Sequence, residues 1–184
     1  MRLSLNDIAD APDVLLLAEI WARAMGKSTK RVSFQNPNGE GIVVLTVMHG
    51  DKQVFVHKQD ECISVFALMD LPEELTSRIR AMSSQLQRRL EVGLQRELVS
   101  LGRTTFTFRP LPLESIAHLQ RISVSQLIRI SSGDLSSFNR YADAIQEVVT
   151  AIARAASILV PILSVKGDAS GTSGDRAVPP GMYG

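Results

Sequence analysis

A lysine that follows a glycine and precedes two hydroxyls, as in Gly26-Lys27-Ser28-Thr29, is an arrangement that can cradle a phosphate. The complete loop also requires a glycine five residues before Gly26, a strand leading in and a helix leading out. Position 21 is Trp21, and the local pattern places a helix before the segment and a strand after it. A glycine-stopped helix followed by a polar loop is the better reading. Acid–base or metal chemistry would fall to His49, His57 and His118, but their spacing is not that of metal ligands. No Gly-x-Ser-x-Gly elbow is present to expose a nucleophilic serine. Cys62 is the only cysteine, so no internal disulfide can form. It opens an apolar run directly after Asp60 and Glu61, whose charges disfavour a thiolate. Sequence reasoning therefore assigns no catalytic residue, no metal site and no cofactor, and expects a protein without enzymatic activity. An enzyme with an unrecognised site is the rival class.

The 184 residues suit one domain with a modest core. Apolar residues make up 45% and charged residues 21%, ordinary for a soluble globular chain. A net charge of +1 gives no basic field of the kind a dedicated nucleic-acid binder carries, so no nucleic-acid partner is expected. The pair Arg88-Arg89 is read as a solvated helix face. The N-terminal MRLSLNDIADAPD lacks an apolar signal region. No uninterrupted apolar stretch approaches the roughly 18 residues of a membrane span. These readings, with the lone cysteine, predict a reducing cytoplasmic setting and no membrane partner.

The first helix is expected from Pro12 to Met25, with Leu16, Ile20, Trp21 and Ala24 on one side and Gly26 as its stop. Short β-favouring runs follow at 32–35, 42–48, 53–57 and 62–69, separated by turn signals such as Asn36-Pro37-Asn38-Gly39 and His49-Gly50-Asp51-Lys52. Asp70 and Glu73 have capping-box spacing before one long helix whose stripe includes Leu75, Ile79, Leu86, Leu90, Leu94 and Leu98. A strand at 104–109 ends at Pro110 and Pro112. A long alternating strand is predicted over 116–130, with Ile122, Val124, Ile128 and Ile130 inward. Arg121, Ser123, Ser125 and Arg129 form its wet face. The last helix buries Phe138, Tyr141, Ile145, Val148, Ile152, Ala155 and Leu159 and is closed by Pro161. Its alanines permit close approach, within the fold or across a homodimer.

Strands and helices in the order α-β(3–4)-α-β-β-α do not alternate, which predicts an α+β fold with an antiparallel sheet covered by helices. That order, over roughly residues 12–160, resembles the type III secretion chaperone-like fold. The resemblance implies a non-enzymatic body that binds other polypeptides, often as a dimer.

Residues 1–165 are expected to form the domain and 166–184 a flexible arm, because Gly, Ser, Thr, Asp and Pro dominate the latter. Met182-Tyr183-Gly184 matches the pattern hydrophobic–Tyr–any residue. It resembles the docking tails of proteasome activators and assembly factors. The resemblance implies that Tyr183 and the Gly184 carboxylate enter a pocket between ring subunits, with Met182 as apolar contact. Some other tail-mediated contact, or an inert tail, stays open beside it. The function expected is a protein-binding adaptor working through this arm, with the 20S proteasome as one partner. The alternative is a chaperone-like domain binding polypeptide on its sheet or helix face.

Overall fold

Asp13 begins the first helix by accepting a hydrogen bond from the Leu15 amide at 3.1 Å. The computed structural model describes residues 13–35, 41–60, 62–131 and 134–164. Met182, Tyr183 and Gly184 lie outside those residues, as does the rest of the arm.

Helix α1 spans Val14–Ala24, and Gly26, at φ +72°, supplies the left-handed turn that ends it. Its buried side is Leu15, Leu17, Ala18, Trp21 and Ala22. The expected stripe is thus rotated: Trp21 is core, but Leu16 and Ile20 are half-buried and Ala24 is exposed. Four strands follow, β1 Thr29–Gln35, β2 Gly41–His49, β3 Lys52–Gln59 and β4 Cys62–Asp70. The predicted meander is correct, and Gly50 at φ +63° makes the β2–β3 turn. Strands β5 Thr105–Arg109 and β6 Arg121–Arg129 complete one six-stranded sheet, antiparallel throughout, in the order β1-β2-β3-β4-β6-β5.

The predicted long helix is two. Helix α2 runs Glu73–Ala81 and α3 runs Ser84–Val99. Met82 is extended at ψ 152°, and Ser83 caps α3. The Gln87 amide reaches back to the carbonyls of Ile79 at 2.9 Å, Arg80 at 3.3 Å and Met82 at 3.2 Å, so one side chain satisfies the orphan acceptors at the break. The expected capping box is absent. Asp70 ends β4 and pairs with Arg121, while Pro72 occupies the N-cap position of α2 without a side-chain bond.

The expected strand over 116–130 is also shorter. Ile116–His118 is a 3-10 turn that buries Ile116 and Leu119, and the strand begins at Arg121. Helix α4 spans Leu135–Ser164 and runs through Pro161. Arg78 of α2 donates to the carbonyl oxygens of Ile162 at 3.1 Å and Leu163 at 2.8 Å, supplying the terminal partners that keep the last turn helical. The stretch Leu135–Leu163 is long and apolar enough to cross a membrane by length and composition, with mean hydropathy 1.5, which the broken apolar run in the sequence did not lead one to expect. Its apolar stripe, from Tyr141 to Leu159, is buried in the core.

Helix α1 covers β1–β4 and α4 covers β3, β4 and β6. Helices α2 and α3 lie mainly against α4 and the short turn. The core between sheet and helices holds Leu45, Val56, Val65 and Val124 from the strands, and Trp21, Tyr141 and Val148 from the helices.

Asp134 ties down the start of α4. It accepts from the Ser136 hydroxyl at 2.7 Å, the Ser137 hydroxyl at 2.8 Å and the Ser136 amide at 2.9 Å. These bonds, with the Ser136 hydroxyl foremost, lower its carboxyl to about 2. The folded value lies below the unfolded one. The stabilisation is therefore full above pH 3.8 and is lost as pH falls toward about 2. Asp134→Asn is expected to flatten that part of the stability–pH curve, measured by urea unfolding across the acid range. An unchanged acid limb would remove Asp134 as its source.

Candidate functional site

Strands alternate, so each sends half its side chains away from the helices. On β6 and β5 the outward residues are polar apart from Leu127: Arg121, Ser123, Ser125 and Arg129, as the sequence predicts, with Thr105, Thr107 and Arg109 beside them. On β1–β4 an apolar group interrupts the polar ones. Phe34 stands opposite Ile42, Val44 opposite His57, and Phe55 opposite Phe66. Phe55 and Phe66 stack with centroids 5.3 Å apart at 23°. Leu68 follows on the same side of β4, with Ser123 as its β6 neighbour.

Together Phe34, Ile42, Val44, Phe55, Phe66 and Leu68 line an open groove whose other lining side chains are His57 and Gln35. Phe34 is 51% exposed and Leu127, on the neighbouring part of the face, is 56% exposed. An apolar patch of this kind, bordered by serines and arginines, is the form that protein-contact surfaces take. It includes part of β1, an edge strand whose outer backbone groups pair with no other strand among the described residues.

The orientation of β1 is fixed from the inward side. Glu19 of α1 is buried and accepts from Arg31 of β1 at 2.6 Å and from Arg23. A buried carboxylate needs such partners, and here the pairing clamps the edge strand to α1 and thereby sets where Phe34 points.

The residues singled out for chemistry do not converge. Gly26-Lys27-Ser28-Thr29 lies between α1 and β1, with Thr29 accepting from Arg23 at 3.1 Å. His49 ends β2, where burial first and the Lys27 charge second push its imidazole below the ordinary value. His57 lies in the groove, and His118 is exposed in the 3-10 turn. Cys62 is half-buried on the outward side of β4, opposite Arg129 and Gln59. Among the described residues no group of three or more His, Cys, Asp or Glu could hold a metal ion.

Sequence reasoning missed the groove. The signal was present in strands that are apolar on both faces: β2 reads Ile42-Val43-Val44-Leu45, and β4 reads Val65-Phe66-Ala67-Leu68. In an antiparallel sheet with helices on one side, such runs mean that the second side has an apolar surface as well.

The molecule belongs structurally to the α+β class, with one antiparallel sheet and its helices on a single face. No family model matches the chain, and no curated protein matches it. Solved structures share the fold, two of them as follows. One is an uncharacterized protein from Methanothermobacter thermautotrophicus, with a TM-score of 0.63 and 16% identity over 81% of this chain and 96% of that one. The other is YbjN from E. coli, a candidate transcription regulator, with a TM-score of 0.50 and 14% identity over 79% of this chain and 92% of that one. At these identities the likeness establishes the fold alone.

Proposed function

We propose that this protein is a non-enzymatic protein-binding adaptor whose body takes an extended apolar segment of a partner across the outward side of β1–β4. The carrying observation is the groove of Phe34, Ile42, Val44, Phe55, Phe66 and Leu68 on the side of the sheet that faces away from its helices. An extended segment there would set alternate apolar side chains between the phenyl rings while the side chains between them faced solvent. The regulator description carried by YbjN fits a fold that acts through contact with other macromolecules. The arm ending in Met182-Tyr183-Gly184 is a separate proposed contact, to the 20S proteasome, and needs its own test.

A labelled, permanently unfolded polypeptide is the probe, followed by fluorescence anisotropy. Wild-type protein is expected to bind it in the micromolar range. Phe34→Asp and Phe66→Asp are each expected to weaken binding at least about tenfold, because each places a charge at the centre of an apolar contact. Phe34 is half exposed, so its replacement should leave the melting temperature nearly unchanged. Absence of binding by the wild type at about 100 μM would overturn the proposal, that being weaker than most specific contacts. A chain truncated after Val165 should bind as well as the full chain. Loss of binding on truncation would assign the contact to the arm instead, and addition of 20S particles to both forms tests the proteasome contact directly.

A further inference from the structure

Helix α3 carries a second surface, independent of the sheet groove. Gln85, Arg88, Arg89, Val92, Arg96 and Val99 follow the three- and four-residue spacing of a single helix face, and all are exposed. That face looks away from Leu94 and Leu98, which are fully buried. Among the described residues, the side chains of Arg88, Arg89 and Arg96 have neither an ion pair nor a hydrogen bond. The helix's own carboxylates, Glu91 and Glu97, sit on its flanks. Glu91 accepts from Gln95 at 3.4 Å, and Glu97 lies 4.0 Å from Arg154.

Three choices on this helix work against its own stability. Gly93 occupies its middle, where glycine is the poorest helix former after proline, and a Cβ added there would meet nothing within 4 Å. No close approach inside the chain requires the glycine. Val92, 55% exposed, and Val99, 63% exposed, are β-branched residues at solvated helix positions where long polar side chains do better. Arg88, Arg89, Val92, Gly93 and Arg96 together line a shallow hollow.

We propose that this face of α3 docks an acidic amphipathic helix of a protein partner. The missing Gly93 side chain lets a second helix approach closely, Val92 and Val99 meet its apolar stripe, and the three guanidiniums meet its carboxylates. The face lacks the aromatic and leucine-rich surface with which a helix enters a lipid interface. Three arginines interrupted by valines in a chain of net charge +1 make a poor phosphate track. A symmetric pairing of two copies through this face would set like charges against each other.

The test uses the full chain and a synthetic helical peptide of about 20 residues, long enough to hold a helix, with leucines along one face and glutamates flanking them. Phosphatidylglycerol vesicles and duplex DNA are parallel probes. The peptide is expected to bind with an affinity that falls as salt rises. Gly93→Leu should reduce that affinity at least tenfold while the melting temperature holds or rises. The pair Arg89→Glu and Arg96→Glu should reduce it equally, and Phe34→Asp should leave it unchanged. The proposal is overturned if the wild type does not bind the peptide, if Gly93→Leu binds as well as the wild type, or if vesicles or DNA bind more tightly than the peptide.

Discussion

Replacing Trp21 by alanine is expected to destabilise the protein by about 3–5 kcal/mol, the range for deleting a buried aromatic side chain. Trp21 is 2% exposed. Its indole meets Phe138 edge-on at 5.9 Å and Tyr141 at 5.9 Å and 45°, so it joins α1 to α4. Removal leaves a cavity between two helices and the sheet that neither helix can close without losing other contacts. The loss should extend to function, because α1 also holds Glu19 against Arg31 and so holds the edge strand that carries Phe34. Urea unfolding followed by circular dichroism measures the effect, since the only tryptophan is gone. Trp21→Phe should recover most of the stability. A cost below about 1 kcal/mol for the alanine variant would mean that α1 is not docked on the core, given what full burial of a large side chain contributes.

A graded series along α3 is the second expectation. Leu94→Ala should cost about 2–5 kcal/mol, because Leu94 is fully buried. Leu86→Ala should stay within about 0.5 kcal/mol, because Leu86 is 50% exposed. Leu90, half-buried, should fall between them. A single apolar stripe of the kind the sequence suggests would instead bury all three leucines and make the three costs similar. Equal losses at Leu86 and Leu94, measured at a protein concentration where the chain is monomeric, would show that Leu86 is buried in the fold. A loss at Leu86 that appears only at high concentration would place an interface between copies at that residue.

Much of the architecture was legible because it is written locally. Alternating apolar residues and tight turn signals are properties of a few consecutive residues, and they delivered β1–β4 in order. The spacing of Tyr141, Ile145, Val148, Ile152 and Leu159 likewise marked the buried side of α4 before any neighbour was known. The class follows from element order alone, since strands that are not separated by helices cannot form a parallel sheet with short connections. Three features were decided elsewhere in the chain. The break at Met82-Ser83 depends on Gln87 reaching back to cap α2, which periodicity does not register because the apolar spacing continues across it. The end of α4 beyond Pro161 is capped by Arg78, some eighty positions earlier, which bonds the carbonyls of Ile162 and Leu163. The outward groove depends on which strands are neighbours: Phe34, Phe55 and Phe66 are scattered in sequence, and only the β1-β2-β3-β4 pairing brings them to one surface. Local sequence sets the form of each element through backbone sterics and burial periodicity. What faces solvent, and therefore what can bind, is set by contacts between residues that only the closed fold places side by side.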